Sequence, residues 1–273
     1  ERCEKKMLGY SSIPERWNNA ISSWLNKRYD WKVENDEIGF VPGIVSGIGL
    51  AIQCFSKPGD KILIQSPVYP PFIDLPHKNE RELLINKLKL VNGIYEIDFE
   101  DFEEKISSGC KIFIFCSPHN PGGRVWKKEE IKRISEICVR YGVLIISDEI
   151  HADLTLPGFH HTPTASINDD ISNNVITLMA PSKTFNIPGL SSSFFVCKNE
   201  GLRNKFQKYM DLAELNHGNI FAITAAIAAY ENGEHWLNSL TEYLQKNIDY
   251  VKDFLSANIP EIKPVIQQAS YLI

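Results

Sequence analysis

The chain has 273 residues, 43% apolar and 23% charged, the composition of an ordinary globular protein with enough length for a large core. Its net charge of -5 and the lack of any apolar run near the roughly 20 residues of a membrane span argue against nucleic-acid and membrane partners. Six cysteines (Cys3, Cys54, Cys110, Cys116, Cys138, Cys197) show neither CxxC pairs nor metal-ligand spacing, so they read as reduced, mostly buried thiols of a cytoplasmic protein with no metal site. Pro14 and the following "ERWNNAISSWLNKRY" predict a helix with Trp17, Ala20, Ile21, Trp24 and Leu25 on one face. "IGFVPGIVSGIGLAIQCF" predicts a short strand, a Pro-Gly break and an apolar helix. After the turn "KPGD", "KILIQSP" is a buried strand. "RELLINKLKL" and "KIFIFCSP" are further strands around the acidic helix "DFEDFEEKIS". "KKEEIKRISEICVRYG" is an amphipathic helix with Ile131, Ile134, Ile137 and Cys138 inward. The strands "VLIISDE", "NVITLMAP" and "SSFFVC" follow. From residue 199 the pattern turns helical, through "LRNKFQKYMDL", "NIFAITAAIAAYEN" and a long helix from "HWLNSL" onward. "IKPVIQQASYLI" reads as a strand or hairpin that stops in mid-pattern. That break, with Glu1 in place of an initiator Met, suggests a fragment or a chain lacking its C-terminal part.

Strands alternate with helices, and several strands are apolar without alternation. This predicts an α/β fold with a mainly parallel sheet covered on both faces. Ligands of open parallel sheets bind beyond the carboxyl ends of the strands. Tyr69 follows "KILIQ"; His119, Asn120 and Arg124 follow "KIFIF". Asp148, Glu149 and His151 follow "VLIIS", and Ser182 and Lys183 follow "NVITLMAP". "PGIVSG" opens a helix whose free amides could hold a phosphate. Taken singly, each has an ordinary reading: the Asp as a cap, the Lys as a solvated charge, "HNPGG" as a turn, His151 as structural. "PGIVSG" also lacks a Walker or GxGxxG pattern. The set, in its order and spacing, is far more specific than any member.

The ordered set "SPVYPPF", "SPHNPGGRVW", "SDEIHADL" and "APSKTFNIPGL" resembles the fold-type I pyridoxal-phosphate (PLP) enzymes. Within the class I/II aminotransferase superfamily it resembles the cystathionine β-lyase branch, the MalY/PatB-like C–S lyases. The likeness spans almost the whole chain. It implies a three-layer, mainly parallel sheet in a large PLP-binding domain over 33–234. An N-terminal helical segment over 1–32 would precede it, and a partial α+β small domain would start at 235–273.

The resemblance also implies roles. Lys183 forms the Schiff base with the PLP aldehyde and later removes the Cα proton of the substrate. Asp148 faces the pyridine nitrogen, Asn120 the ring 3-oxygen, and Tyr69 stacks on the ring. His151 stands where the superfamily often has a Tyr that reaches the same oxygen. The amides of Ile44 and Val45, with Ser182, bind the phosphate. Tyr10 resembles a residue that reaches the phosphate of a neighbouring subunit, which implies a homodimer with shared active sites. The expected function is α,β-elimination of S-substituted cysteines to thiol, pyruvate and ammonia, with an amino acid as the small-molecule substrate. An aminotransferase uses the same residues, and a non-catalytic PLP-binding regulatory module would also keep the lysine; no fused helix-turn-helix segment or basic patch supports the latter. Two departures stand out. Ser191 occupies the place of a phosphate-binding Arg common in aminotransferases, and Ala180 that of a common Ser. The family's substrate-carboxylate arginine would lie beyond Ile273, and Arg124 reads as a structural or loop residue rather than its substitute.

Overall fold

The computed structural model describes residues 2–5 and 8–273, and the Cys3 side chain lies outside the described part. Among these residues the strands are β1 (Ile38–Val41), β2 (Lys61–Ser66), β3 (Glu82–Lys87), β4 (Lys89–Val91), β5 (Ile94–Glu96), β6 (Cys110–Cys116), β7 (Leu144–Asp148), β8 (Val175–Met179) and β9 (Ser193–Val196). The helices are α1 (Glu15–Tyr29), α2 (Ile44–Phe55), α3 (Pro71–Lys78), α4 (Phe99–Ser107), α5 (Lys128–Arg140), α6 (Asp169–Ser172), α7 (Pro181–Thr184), α8 (Glu200–Asp211), α9 (Ile220–Asn232) and α10 (Glu234–Asn258).

Seven strands form one sheet in the order β1-β9-β8-β7-β6-β2-β3. β8, β7, β6, β2 and β3 are parallel neighbours, as expected where helices carry the chain back between strands. β9 runs antiparallel to both β8 and β1. The chain reaches β9 directly from the edge where β8 ends, with no helix returning it to the far edge, so it must run backwards.

The unbroken apolar runs follow from burial on both faces. Phe113, Phe115 and Ile145 point into one core with Trp17, Trp24, Phe102 and Ile134. Ile112, Ile114 and Ile146 point into a second core with Ile48, Ile52, Phe72 and Phe206. α1, α4, α5 and α9 thus cover one face and α2, α3 and α8 the other. The predicted inner face of α1 is buried, and the helix ends where Asp30 turns left-handed. Cys54, Cys110, Cys116, Cys138 and Cys197 are free and buried, as expected. No helix among the described residues is long and apolar enough to cross a membrane.

Two local expectations need correction. "RELLINKLKL" is two strands: the chain leaves the main sheet at Leu88, and β4 pairs with β5 in a separate ribbon. "IKPVIQQASYLI" is neither strand nor hairpin. It makes one bridge, Ala269 to Thr155, and otherwise bonds to loops: Ile266 N to Gly93 O, Gln268 N to Gly123 O and Ser270 N to Leu154 O. The carbonyls of Gly93, Gly123 and Leu154 take its amides in place of a strand partner. Lys183 follows β8, as expected, but on a short helix. β8 stops at Met179 and α7 intervenes, started by Pro181 at its first position.

Candidate active site

The adjacency of β8, β7, β6 and β2 decides what meets. Lys183 comes four residues after the end of β8, Asp148 is the last residue of β7, Asn120 comes four residues after β6, and Tyr69 three after β2. Parallel neighbours end on the same edge, so all four reach one place. They line a cavity of about 450 Å³ with Gly43, Ile44, Val45, His151 and Ser182. Ser191, Ser192, Cys116 and Tyr271 are also part of the wall.

Hydrogen bonds fix the strand-end loops to one another. Tyr69 N donates to Asn120 O at 3.0 Å. His119 Nε2 donates to Pro67 O at 2.6 Å. Burial pushes His119 down to about 4, with the Pro67 and Cys116 backbone opposing, so the ring is neutral with its proton on Nε2. Asn120 Nδ2 lies 3.4 Å from His151 Nε2. An amide nitrogen only donates, so His151 Nε2 accepts and its proton sits on Nδ1. Burial, reinforced by the charge of Lys183, holds His151 down at about 4 and therefore neutral. Arg124 is buried and committed to structure, as its sequence context suggested. It bonds Tyr95 O and Gln268 Oε1 and pairs with Glu130 at 2.8 Å.

Asp148 is the most perturbed carboxyl of the site. Burial raises it from 3.8 to about 7; the Ile150 amide opposes that, nearby Glu149 adds to it, and Lys183 opposes it. Its one hydrogen bond comes from Ile150 N, at 3.0 Å to Oδ1. Glu149 beside it points away into the protein, bonded to Ser147, His161 and the Thr164 amide. The start of α2 is equally open. Gly43 precedes it at φ 149°, and no side chain caps its first-turn amides. Backbone dipoles make such an end attractive to an anion.

The sequence model of the family "Aminotransferase class I and II" matches residues 5–273. The chain belongs to this family. Cystathionine beta-lyase PatB of Bacillus subtilis (strain 168) is 42% identical over all of this chain and 71% of its own length. Cystalysin from Treponema denticola, whose crystal structure contains a pyridoxal 5'-phosphate cofactor, superposes with a TM-score of 0.96 at 36% identity, covering 99% of this chain and 69% of that one. The PLP-bound C–S lyase from Staphylococcus hominis gives 0.92 at 36% identity, covering 99% and 68%. The branch named by the sequence resemblance is therefore the branch of the relatives.

The cavity fits the family's cofactor. A buried carboxyl has one backbone partner and an oxygen to spare for a ring N–H. An uncapped helix start faces the same space as a lysine. Among the described residues, Ser192 Oγ and His151 Nδ1 are buried with no partner of their own. Eight of the nine site residues expected from the sequence line this one cavity. Tyr10 does not. It is fully exposed and lies by a separate surface groove with Leu8, Gly218 and Phe221. Sequence reasoning missed Ser192 and Tyr271. Tyr271 reaches the cavity only because the terminal segment threads past the loops, and its ring stands 6.0 Å from that of His151. No local pattern announces such a contact. The serine run "SSS" at 191–193 was a usable signal for Ser192.

Proposed function

We propose that the chain is a PLP-dependent C–S β-lyase that converts S-substituted cysteines such as cystathionine to a thiol, pyruvate and ammonia. The observation that carries this reading is the convergence of Lys183, Asp148, Asn120 and Tyr69 on one cavity at the sheet edge. When bound, PLP supplies an electron sink for the electron pair left at Cα. The residues of the chain do the rest. Lys183 holds the cofactor covalently, and its amine, once released by the incoming substrate, takes the Cα proton. Loss of that proton lets the Cβ–S bond break with the thiolate as leaving group, and one water is consumed as the remainder becomes pyruvate and ammonia. Asp148 keeps the ring nitrogen protonated. A cation there lowers its carboxyl from about 7, so the two charges stabilise each other in a site poor in other partners. Asn120 donates to the ring 3-oxygen, with His151 behind it. Tyr69 stacks on the ring. The Ile44 and Val45 amides and Ser182 hold the phosphate, and Tyr10 completes the phosphate site of a partner subunit in a homodimer. Such an enzyme works in the cytoplasm, where the five buried thiols stay reduced.

The family also contains aminotransferases, in which the same lysine would return the proton to the cofactor rather than allow elimination. The test is to incubate the purified holoenzyme with cystathionine and measure pyruvate. Pyruvate far in excess of enzyme, with no ketoacid added, is the expected result. Strict dependence on an added ketoacid would replace this reading with transamination.

A further inference from the structure

α7, which carries Lys183, is four residues long. A single helical turn has too few internal bonds to hold itself in place. Its neighbours must fix it, and the contacts around Thr184, the residue next to Lys183, show how. Thr184 is buried, and its Oγ1 donates to Asp153 Oδ2 at 2.9 Å. Asp153 is itself buried, five residues beyond Asp148 on the turn that follows β7. Its other oxygen accepts from Trp24 Nε1 at 3.1 Å and from Tyr29 Oη at 2.5 Å. The Arg28 guanidinium lies 3.7 Å away and also covers the Trp24 ring. One carboxylate thus gathers donors from the end of α1 and from α7. Burial, and next the charge of Asp153, push the Tyr29 phenol well above its ordinary value, so it remains a donor. Phe185, on the other side of Thr184, packs its ring 5.6 Å from Trp24 and 5.8 Å from Tyr230.

Successive residues of a helical turn point about 100° apart. Pinning Thr184 toward α1 therefore fixes the rotation of α7 and the direction in which Lys183 leaves it. Building on the assignment of Lys183 as the cofactor lysine, we propose that Asp153 is a positioning residue for it. Through Thr184, Asp153 clamps α7 to α1 and sets where the Lys183 amine stands in the cavity. Asp153 does not line that cavity and touches no reacting atom. Three donors and a cation thus converge on this one buried side chain.

The test compares the holoenzyme with Thr184→Val and Thr184→Ser. Valine keeps the shape and loses the donor; serine keeps the donor. The readouts are PLP release on dilution and visible circular dichroism per unit of cofactor absorbance, which reports how rigidly the lysine-bound ring is held. Thr184→Val should release PLP about tenfold faster, the size expected for one lost hydrogen bond to a buried charge. Its dichroism should fall, and Thr184→Ser should restore both. If Thr184→Val does not fold, Asp153→Asn should show the same pair of changes. A Thr184→Val enzyme that melts earlier yet keeps wild-type release and dichroism would overturn the proposal and leave the network a purely structural role. A visible band that survives Lys183→Ala would instead overturn the assignment of Lys183 and the inference with it.

Discussion

Replacing Asp148 with Asn separates what this carboxyl costs the fold from what it does for the cofactor. In the apoprotein it is raised from 3.8 to about 7, chiefly by burial. Between those values the folded chain holds a proton that the unfolded chain has lost. Stability therefore falls as pH rises through that window, and above it the whole penalty is present. A difference of about three units corresponds to about 4 kcal/mol. Asparagine has no proton to lose, and its Oδ1 can still accept from Ile150 N. Apo Asp148→Asn should therefore be more stable than apo wild type at pH 8, by up to about 4 kcal/mol, with the gap closing toward pH 4. Urea unfolding of both proteins across this range measures the gap. Taking the difference cancels His119 and His151, whose depressed values remove stability from both proteins as pH falls from 6.5 toward about 4. The same variant should bind PLP more weakly, because an amide cannot hold the ring nitrogen protonated. Equal apoprotein stability across the range would refute the claim that burial raises the Asp148 carboxyl more than its Ile150 amide and Lys183 lower it.

Gly43→Ala should cost about 1–2 kcal/mol through backbone strain, since φ is 149° there and an added Cβ would meet nothing nearer than Ser46 Oγ at 3.8 Å. It should also weaken PLP binding, because the Ile44 and Val45 amides would move; thermal melting and cofactor titration check the two effects separately. Tyr10→Phe should leave apoprotein melting unchanged while lowering PLP affinity about tenfold. Sedimentation should show a dimer, and a stable monomer with full PLP affinity would refute the role given to Tyr10.

The core of the site was legible in the sequence for a simple reason. Tyr69, Asn120 and Lys183 follow an apolar strand and Asp148 ends one, and parallel neighbours deliver their ends to one edge. Chain order then does the work of a contact map. Ile44 and Val45 were legible in the same way, from a Pro-Gly break that opens a helix without a capping side chain. The reversal of β9 was hidden, because direction depends on the path between strands and not on their composition. Tyr271 was hidden because the terminal segment has no regular period and is held by loop carbonyls. Asp153 gave no signal either: within "HADL" it is one acidic residue, and its partners Trp24 and Tyr29 lie more than 100 residues upstream.

Peptide mapping asks directly whether Lys183 holds the cofactor. Borohydride would reduce the lysine–PLP bond of the holoenzyme, and digestion with mass spectrometry would locate the added mass. One modified peptide is expected, spanning "APSKTFNIPGL", with the label on Lys183 and none in Lys183→Ala. A label on another lysine, or an unchanged map in the variant, would contradict it.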